Sequence, residues 1–264
     1  MTRLRILSLG AGVESTTLAM LSKHGELPAL DHAIFADTGW ERQVTYDHLR
    51  WLIPQLPFPV HWLTPARKIQ EQPERTPGTR FISLPMFTNG GEGRLWRQCT
   101  KEWKIEAIHR KVRELVGLAP GERGGREIRE ERWIGYNREQ VGRIADPMSP
   151  WVQHRYPLIE DRPMNRLECI AWMFAHGYPE PPRSSCIGCP NHTDAEWRRL
   201  KIDSPEEFAQ AVEFERVHGS SRGAQREQAF LHRSCVPLNQ VDLSTAEDRG
   251  QLNWLDHCGG DCGT

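Results

Sequence analysis

Over the first third of the chain, short apolar runs alternate with amphipathic stretches. Leu4 to Leu9 reads as a buried strand, and Ser15 to Ser22 as a helix closed by Gly25, a residue suited to the left-handed turn that ends helices. Ala29 to Ala36 is a second apolar run, ending in the turn Asp37-Thr38-Gly39. A polar stretch carrying Tyr46, Leu49 and Ile53 on one side predicts a helix, and Phe58 to Leu63 a third strand. Strand and helix in alternation predict an α/β fold built on a parallel sheet with right-handed crossovers.

The pattern then changes. Residues 65 to 98 are interrupted by Pro65, Pro73, Pro77, Pro85 and several glycines, and read as a long irregular loop of the kind kept for function. Thr100 is placed to cap a helix whose apolar positions are Ile105, Ile108, Val112 and Leu115. Residues 119 to 130 form a charged linker, and Arg132 to Tyr136 another strand. Helix starts recur at Asn165 with Glu168, at Thr193 with Glu196, and at Ser204-Pro205 with Glu207. The expected organisation is an α/β domain over 1–162 and a mostly helical region over 163–264, ending in a glycine-rich, cysteine-containing tail.

A chain of 264 residues buries a full core without disulfides, and a formal net charge of -1 excludes the global basic field of a dedicated nucleic-acid binder. Residues 94 to 113 hold seven Lys or Arg against two Glu, which reads first as a solvated helix face. No apolar run is long enough to span a membrane, so a cytoplasmic location is expected. In a reducing compartment seven cysteines point to metal or redox chemistry before disulfides.

Two features carry chemistry. The turn SLGAGVES follows the first strand and opens a helix, so its backbone N–H groups and the helix N-terminus favour an anion. It lacks the Gly-Lys-Ser/Thr ending of a Walker A loop. The second feature is Cys186-x-x-Cys189-Pro, whose two thiolates have the spacing of one metal centre, with Cys99 as a further candidate ligand. Structural zinc, an iron-sulfur cluster and a redox pair are all compatible with that spacing. Cys169 reads as a small buried hydrophobe, and Trp103, Trp151, Trp172 and Trp197 as core.

In order along the chain, SLGAGVES, FADTGWE, RQCTKEWKI, WIGYNREQVGR, the PLIE run and SSCIGCP together resemble the PP-loop ATP pyrophosphatases, in the branch that contains phosphoadenylylsulfate (PAPS) reductases. The resemblance implies a Rossmann-like, adenine nucleotide alpha hydrolase-like domain. It implies a nucleotide site made by Ser8, Gly10, Ala11, Gly12, Val13, Glu14, Ser15, Thr16, Asp37 and Gly135. The usual loop of the family is Ser-Gly-Gly-x-Asp-Ser; here Gly10 replaces the first serine, Ala11 a glycine, and Glu14 the aspartate. Asp37 is implied to bind magnesium or a nucleotide hydroxyl, and Arg143, with Arg138 a weaker candidate, to meet substrate phosphate. Cys99, Cys186 and Cys189 are implied ligands of a 4Fe-4S cluster, with zinc as the alternative and Cys235, Cys258, Cys262 or His192 as a fourth ligand.

The expected activity is ATP binding with Mg2+, cleavage between the α and β phosphates, and activation of an acceptor for sulfur transfer. The acceptor is a tRNA base or a DNA backbone and the sulfur comes from a donor protein; self-association into a homo-oligomer is left open. The alternatives are a PAPS or adenylylsulfate reductase that uses Cys258 as nucleophile, and a nucleotide-binding subunit without catalysis.

Overall fold

Ile6 and Leu7 are both fully buried although they point to opposite faces, so the first strand, β1 (Leu4–Ser8), lies inside a sheet covered on both sides. In the computed structural model, which describes residues 3–71, 83–89, 93–95, 97–219, 228–245 and 248, β1 leads into α1 (Val13–Lys23). Then come β2 (His32–Ala36), α2 (Gln43–Leu52), β3 (Val60–Leu63) and the two-residue β4 (Phe87–Thr88). A π-helical segment, Thr100–Ile105, runs into α3 (Glu106–Leu115), followed by β5 (Glu130–Ile134) and β6 (Val152–Arg155). The single turn α4 (Pro157–Glu160) precedes α5 (Arg166–Ala175), α6 (Asp194–Asp203), α7 (Pro205–His218) and β7 (Ala229–Phe230).

The residues group into two compact units, Met1–Pro73 with Arg97–Cys186, and Glu74–Trp96 with Ile187–Thr264. In the first unit, five parallel strands form a sheet of order β3-β2-β1-β5-β6. The chain steps outward from β1 to β3, then re-enters on the opposite side of β1 at β5. This is a doubly wound α/β sheet. Its connections diverge from the carboxyl ends of β1 and β5, and that crevice is where open α/β sheets take ligands.

Alternation along the strands supplies both faces. Leu7, Phe35 and Trp133 pack with Leu18 of α1, Leu49 of α2, and Cys169 and Met173 of α5. Ile6 and Ile34 pack on the other side with Ile108 and Val112 of α3 and with Trp151. In the second unit β4 pairs antiparallel with β7. Among the described residues no helix is long and apolar enough to cross a membrane.

The expected strands and helices of the first third are present, and capping boxes form at Asn165 with Glu168 and at Thr193 with Glu196. Two expectations are corrected. Thr100 lies inside the π-helical segment, with Cys99 at the N-cap in helical geometry and no side-chain cap. Ser204 makes no side-chain cap to α7, which Pro205 begins.

Candidate functional site

Residues Leu9 to Gly12 carry the chain from β1 at the switch point to α1. Ala11 is fully buried with φ 56°, a left-handed conformation that costs a residue with a Cβ about 1–2 kcal/mol. Ala11→Gly is therefore expected to raise stability by about 0.5–1 kcal/mol in urea unfolding, the gain being reduced by the extra freedom of glycine in the unfolded chain. Gly12 is the extended N-cap of α1 and supplies no side-chain cap. The first-turn N–H groups have no partner one turn earlier, so this end of α1 faces the crevice as an anion-binding terminus.

Neighbouring groups fix that terminus. The Gly10 N–H donates to Ser15 Oγ at 3.2 Å, and Ser15 Oγ donates to the Gly12 carbonyl at 3.3 Å. The Thr16 N–H donates to the Gly12 carbonyl at 3.0 Å, while Thr16 Oγ1 is 2.9 Å from His48 Nε2 of α2. Ser15 thus shapes the loop, and Thr16 is fully buried against α2. Gly135, just after β5, presses on the same turn: a Cβ there would lie 3.0 Å from the Ser15 nitrogen and 3.3 Å from the Glu14 carbonyl carbon. Ser8 ends β1 opposite Ile134. Glu14 accepts from Asn137 Nδ2 at 3.1 Å and pairs with Arg166 of α5 at 3.3 Å. Asn137 in turn caps the 138–143 turn through a box with Gln140.

Asp37, at the end of β2, is buried and accepts from the Gly39 N–H (2.7 Å), Tyr46 Oη (2.9 Å) and Trp62 Nε1 (3.1 Å). Its carboxylate therefore ties together the strand end, α2 and β3. Burial, and then the negative charge of Asp37, raise the pKa of Tyr46 and keep its hydroxyl a donor.

Four residues further along the same connection, Glu41 is 2% exposed. Its Oε1 accepts from Lys104 Nζ (3.1 Å), Thr38 Oγ1 (3.0 Å) and Cys186 Sγ (3.5 Å), while Oε2 is buried without a hydrogen-bond partner. Thr38 Oγ1 is also 3.3 Å from Cys186 Sγ, and Glu41 forms an antiparallel bridge with Cys186. Two residues earlier, Ser184 packs on the loop itself, its Cβ 3.3 Å from where a Cβ on Gly12 would sit. A single segment thus touches the anion-binding loop and places a thiol beside the buried Glu41 carboxylate and its partner Lys104.

The other expected residues are placed separately. Arg143 lies over the Tyr136 ring at 4.5 Å, and Arg138 pairs with Glu168. Cys99 and Cys186 belong to the first unit and Cys189 to the second. Among the described residues no group of three or more His, Cys, Asp or Glu side chains is placed to hold one metal ion. Cys169 is fully buried, its thiol pushed up to about 12 by desolvation and then by Glu14. Cys258 and Cys262 lie outside the described residues. The segments RQCTKEWKI and WIGYNREQVGR contain Lys104 and Asn137 without assigning them a role, and nothing in the sequence marks Arg166, because single polar residues on helices and turns are ordinary.

His48 makes the site sensitive to acid. Burial lowers its pKa from 6.5 to about 4. The unfolded chain therefore binds the proton more readily, so this contribution is complete above pH 6.5 and is lost as pH falls toward 4. Stability is expected to drop by about 2–3 kcal/mol between pH 7 and pH 4.5, and His48→Gln should flatten that slope in urea unfolding measured at both pH values.

No family model and no curated protein matches the chain. Among solved structures, the phosphate complex of a phosphoadenylyl-sulfate (PAPS) reductase from Candida auris is similar, with 16% identity and a TM-score of 0.41. The alignment covers 69% of this chain and 76% of that one. At that identity and score the likeness decides nothing about activity.

Proposed function

We propose that this chain is a PP-loop enzyme of the PAPS reductase-like branch, which binds ATP at the β1–α1 loop and cleaves it between the α and β phosphates. The activated acceptor, a nucleic-acid base or backbone, then receives sulfur. The observation that carries this reading is the segment from Ser184, packed on Gly12, to Cys186, bonded to Thr38 and Glu41: it puts a thiol close to the anion-binding turn.

The chain's own groups account for the phosphate end of the reaction. First-turn amides of α1 hold the departing pyrophosphate, and because they are fixed before the reaction they stabilise its charge without reorganising. Gly135 leaves the turn undistorted. Arg166 neutralises Glu14, whose charge would otherwise oppose an anion at this terminus. Asp37 holds the strand end that carries Thr38 and Glu41, and Mg2+ enters with the nucleotide. Arg143, held on the Tyr136 ring, is the cation we assign to substrate phosphate.

The Cys186-x-x-Cys189 spacing, and for Cys99 the family resemblance, are the grounds on which these three thiolates would hold a 4Fe-4S cluster, with zinc as the alternative metal. Such a centre, when bound, would supply iron able to carry sulfur.

Anaerobically purified protein is expected to release pyrophosphate from ATP in the presence of the right acceptor. Its iron and sulfide content distinguishes a cluster from zinc. Sulfite formed from PAPS without ATP, and abolished by Cys258→Ser, would replace this reading with a sulfonucleotide reductase. ATP binding without turnover on any acceptor would leave a nucleotide-binding subunit.

A further inference from the structure

The second unit contains a hydroxyl, an imidazole and a carboxylate in series, apart from the residues discussed so far. Ser234 Oγ is 2.7 Å from His232 Nδ1, and His232 Nε2 is 3.3 Å from Asp194 Oδ1. The local chain explains the arrangement. The Cys235 N–H donates to the His232 carbonyl at 3.1 Å, closing a turn around Arg233 and Ser234, and Cys235 takes φ 54° to leave it. The turn brings Ser234 back to the Nδ1 edge of His232, where the Ser234 N–H also reaches Nδ1 at 3.2 Å. Asp194 opens α6, and the same Oδ1 also pairs with Arg233 at 3.0 Å.

These partners fix the direction of every hydrogen bond. An ionised Asp194 only accepts, so in the neutral imidazole the proton sits on Nε2 and Nδ1 carries the lone pair. The Ser234 hydroxyl must then donate to Nδ1. A hydroxyl donating to a ring nitrogen, with the ring oriented by a carboxylate, is the relation between nucleophile, base and orienting group used in covalent catalysis. Exposure fits the roles as well: His232 is 4% exposed and cannot be rotated away by water, whereas Ser234 is open to solvent.

We propose that Ser234, His232 and Asp194 form a base-activated serine site that accepts an acyl or phosphoryl group from an activated ester. Ser234 Oγ bonds to the electrophilic carbon or phosphorus, its proton passes to His232 Nδ1, and the bond to the leaving group breaks. The leaving group departs as an anion or takes that proton. No oxidant or metal is needed.

The test is the full-length protein treated with a fluorophosphonate, which forms the Ser234 Oγ–P bond as fluoride leaves, followed by peptide mass spectrometry. Ser234 is expected to be the labelled serine, with labelling lost in Ser234→Ala. The rate should fall about a hundredfold in His232→Gln, the scale of general-base assistance, and by at least tenfold in Asp194→Asn. His232 is buried, so thermal unfolding checks its variant; if that variant does not fold, Asp194→Asn, at a half-exposed position, decides. An unlabelled Ser234, labelling spread over exposed serines generally, or an unchanged rate in Asp194→Asn would overturn the proposal.

Discussion

Gly135→Ala is expected to weaken ATP binding about a hundredfold while the protein still folds. A methyl group there would meet the Ser15 nitrogen at 3.0 Å, the Ser15 Cα at 3.2 Å and the Glu14 carbonyl carbon at 3.3 Å. All three are backbone atoms of the first turn of α1, so no side chain can rotate out of the way. Relief requires β5 and α1 to separate by a few tenths of an ångström or more, which tilts the N–H groups that face the phosphates. Misaligning one hydrogen bond to a charged phosphate costs about 1.5–3 kcal/mol, which reaches on the order of a hundredfold in affinity. Overpacking should also reduce stability by about 1–3 kcal/mol. Calorimetric titration of ATP into both proteins, with urea unfolding alongside, separates the two effects. An unchanged affinity would mean that the phosphates bind elsewhere.

Lys104→Met is expected to destabilise the first unit by about 3 kcal/mol, the low end of the range for breaking a buried pair because the lysine is partly exposed. The Glu41 side chain has no exposed surface, whereas that of Lys104 is 34% exposed. Removing the lysine leaves a buried carboxylate with Thr38 and Cys186 as its remaining donors and with one oxygen already unpartnered. Glu41→Gln in the same background removes the stranded charge and should recover part of the loss. Urea unfolding of the two single variants and the double variant gives the coupling directly. Additive effects would show that the pair does not interact.

Local chemistry made much of the sheet legible in advance. Ile6 and Leu7, or Ile34 and Phe35, are consecutive apolar residues that bury opposite faces, and that signature of a parallel strand is written in the sequence itself. The Asn165 and Thr193 capping boxes are equally local. β6 was hidden because VQHR contributes only Val152 to the core and is otherwise polar. Likewise β4 and β7 are two residues long and exist only through their pairing over a long separation in sequence.

The candidate site divides the same way. The glycine turn could be read directly, but its consequences could not: Ser15 bonds inward to Gly10 and Gly12, Thr16 turns to His48, and Asp37 is engaged by three donors. The contacts of Lys104 with Glu41 and of Arg166 with Glu14 join residues 63 and 152 positions apart, which no spacing rule reaches. Ala11 is the clearest departure from a local rule, a left-handed residue where glycine is easier. Such departures are tolerated where the surroundings overdetermine the backbone.

Competition between ATP and inorganic pyrophosphate, followed by calorimetry on the full chain, most directly probes whether the β1–α1 loop reads nucleotide phosphates. ATP should bind, pyrophosphate should displace it, and adenosine should bind far more weakly than either. Equal affinities for ATP and adenosine, with no displacement by pyrophosphate, would contradict phosphate recognition at the start of α1.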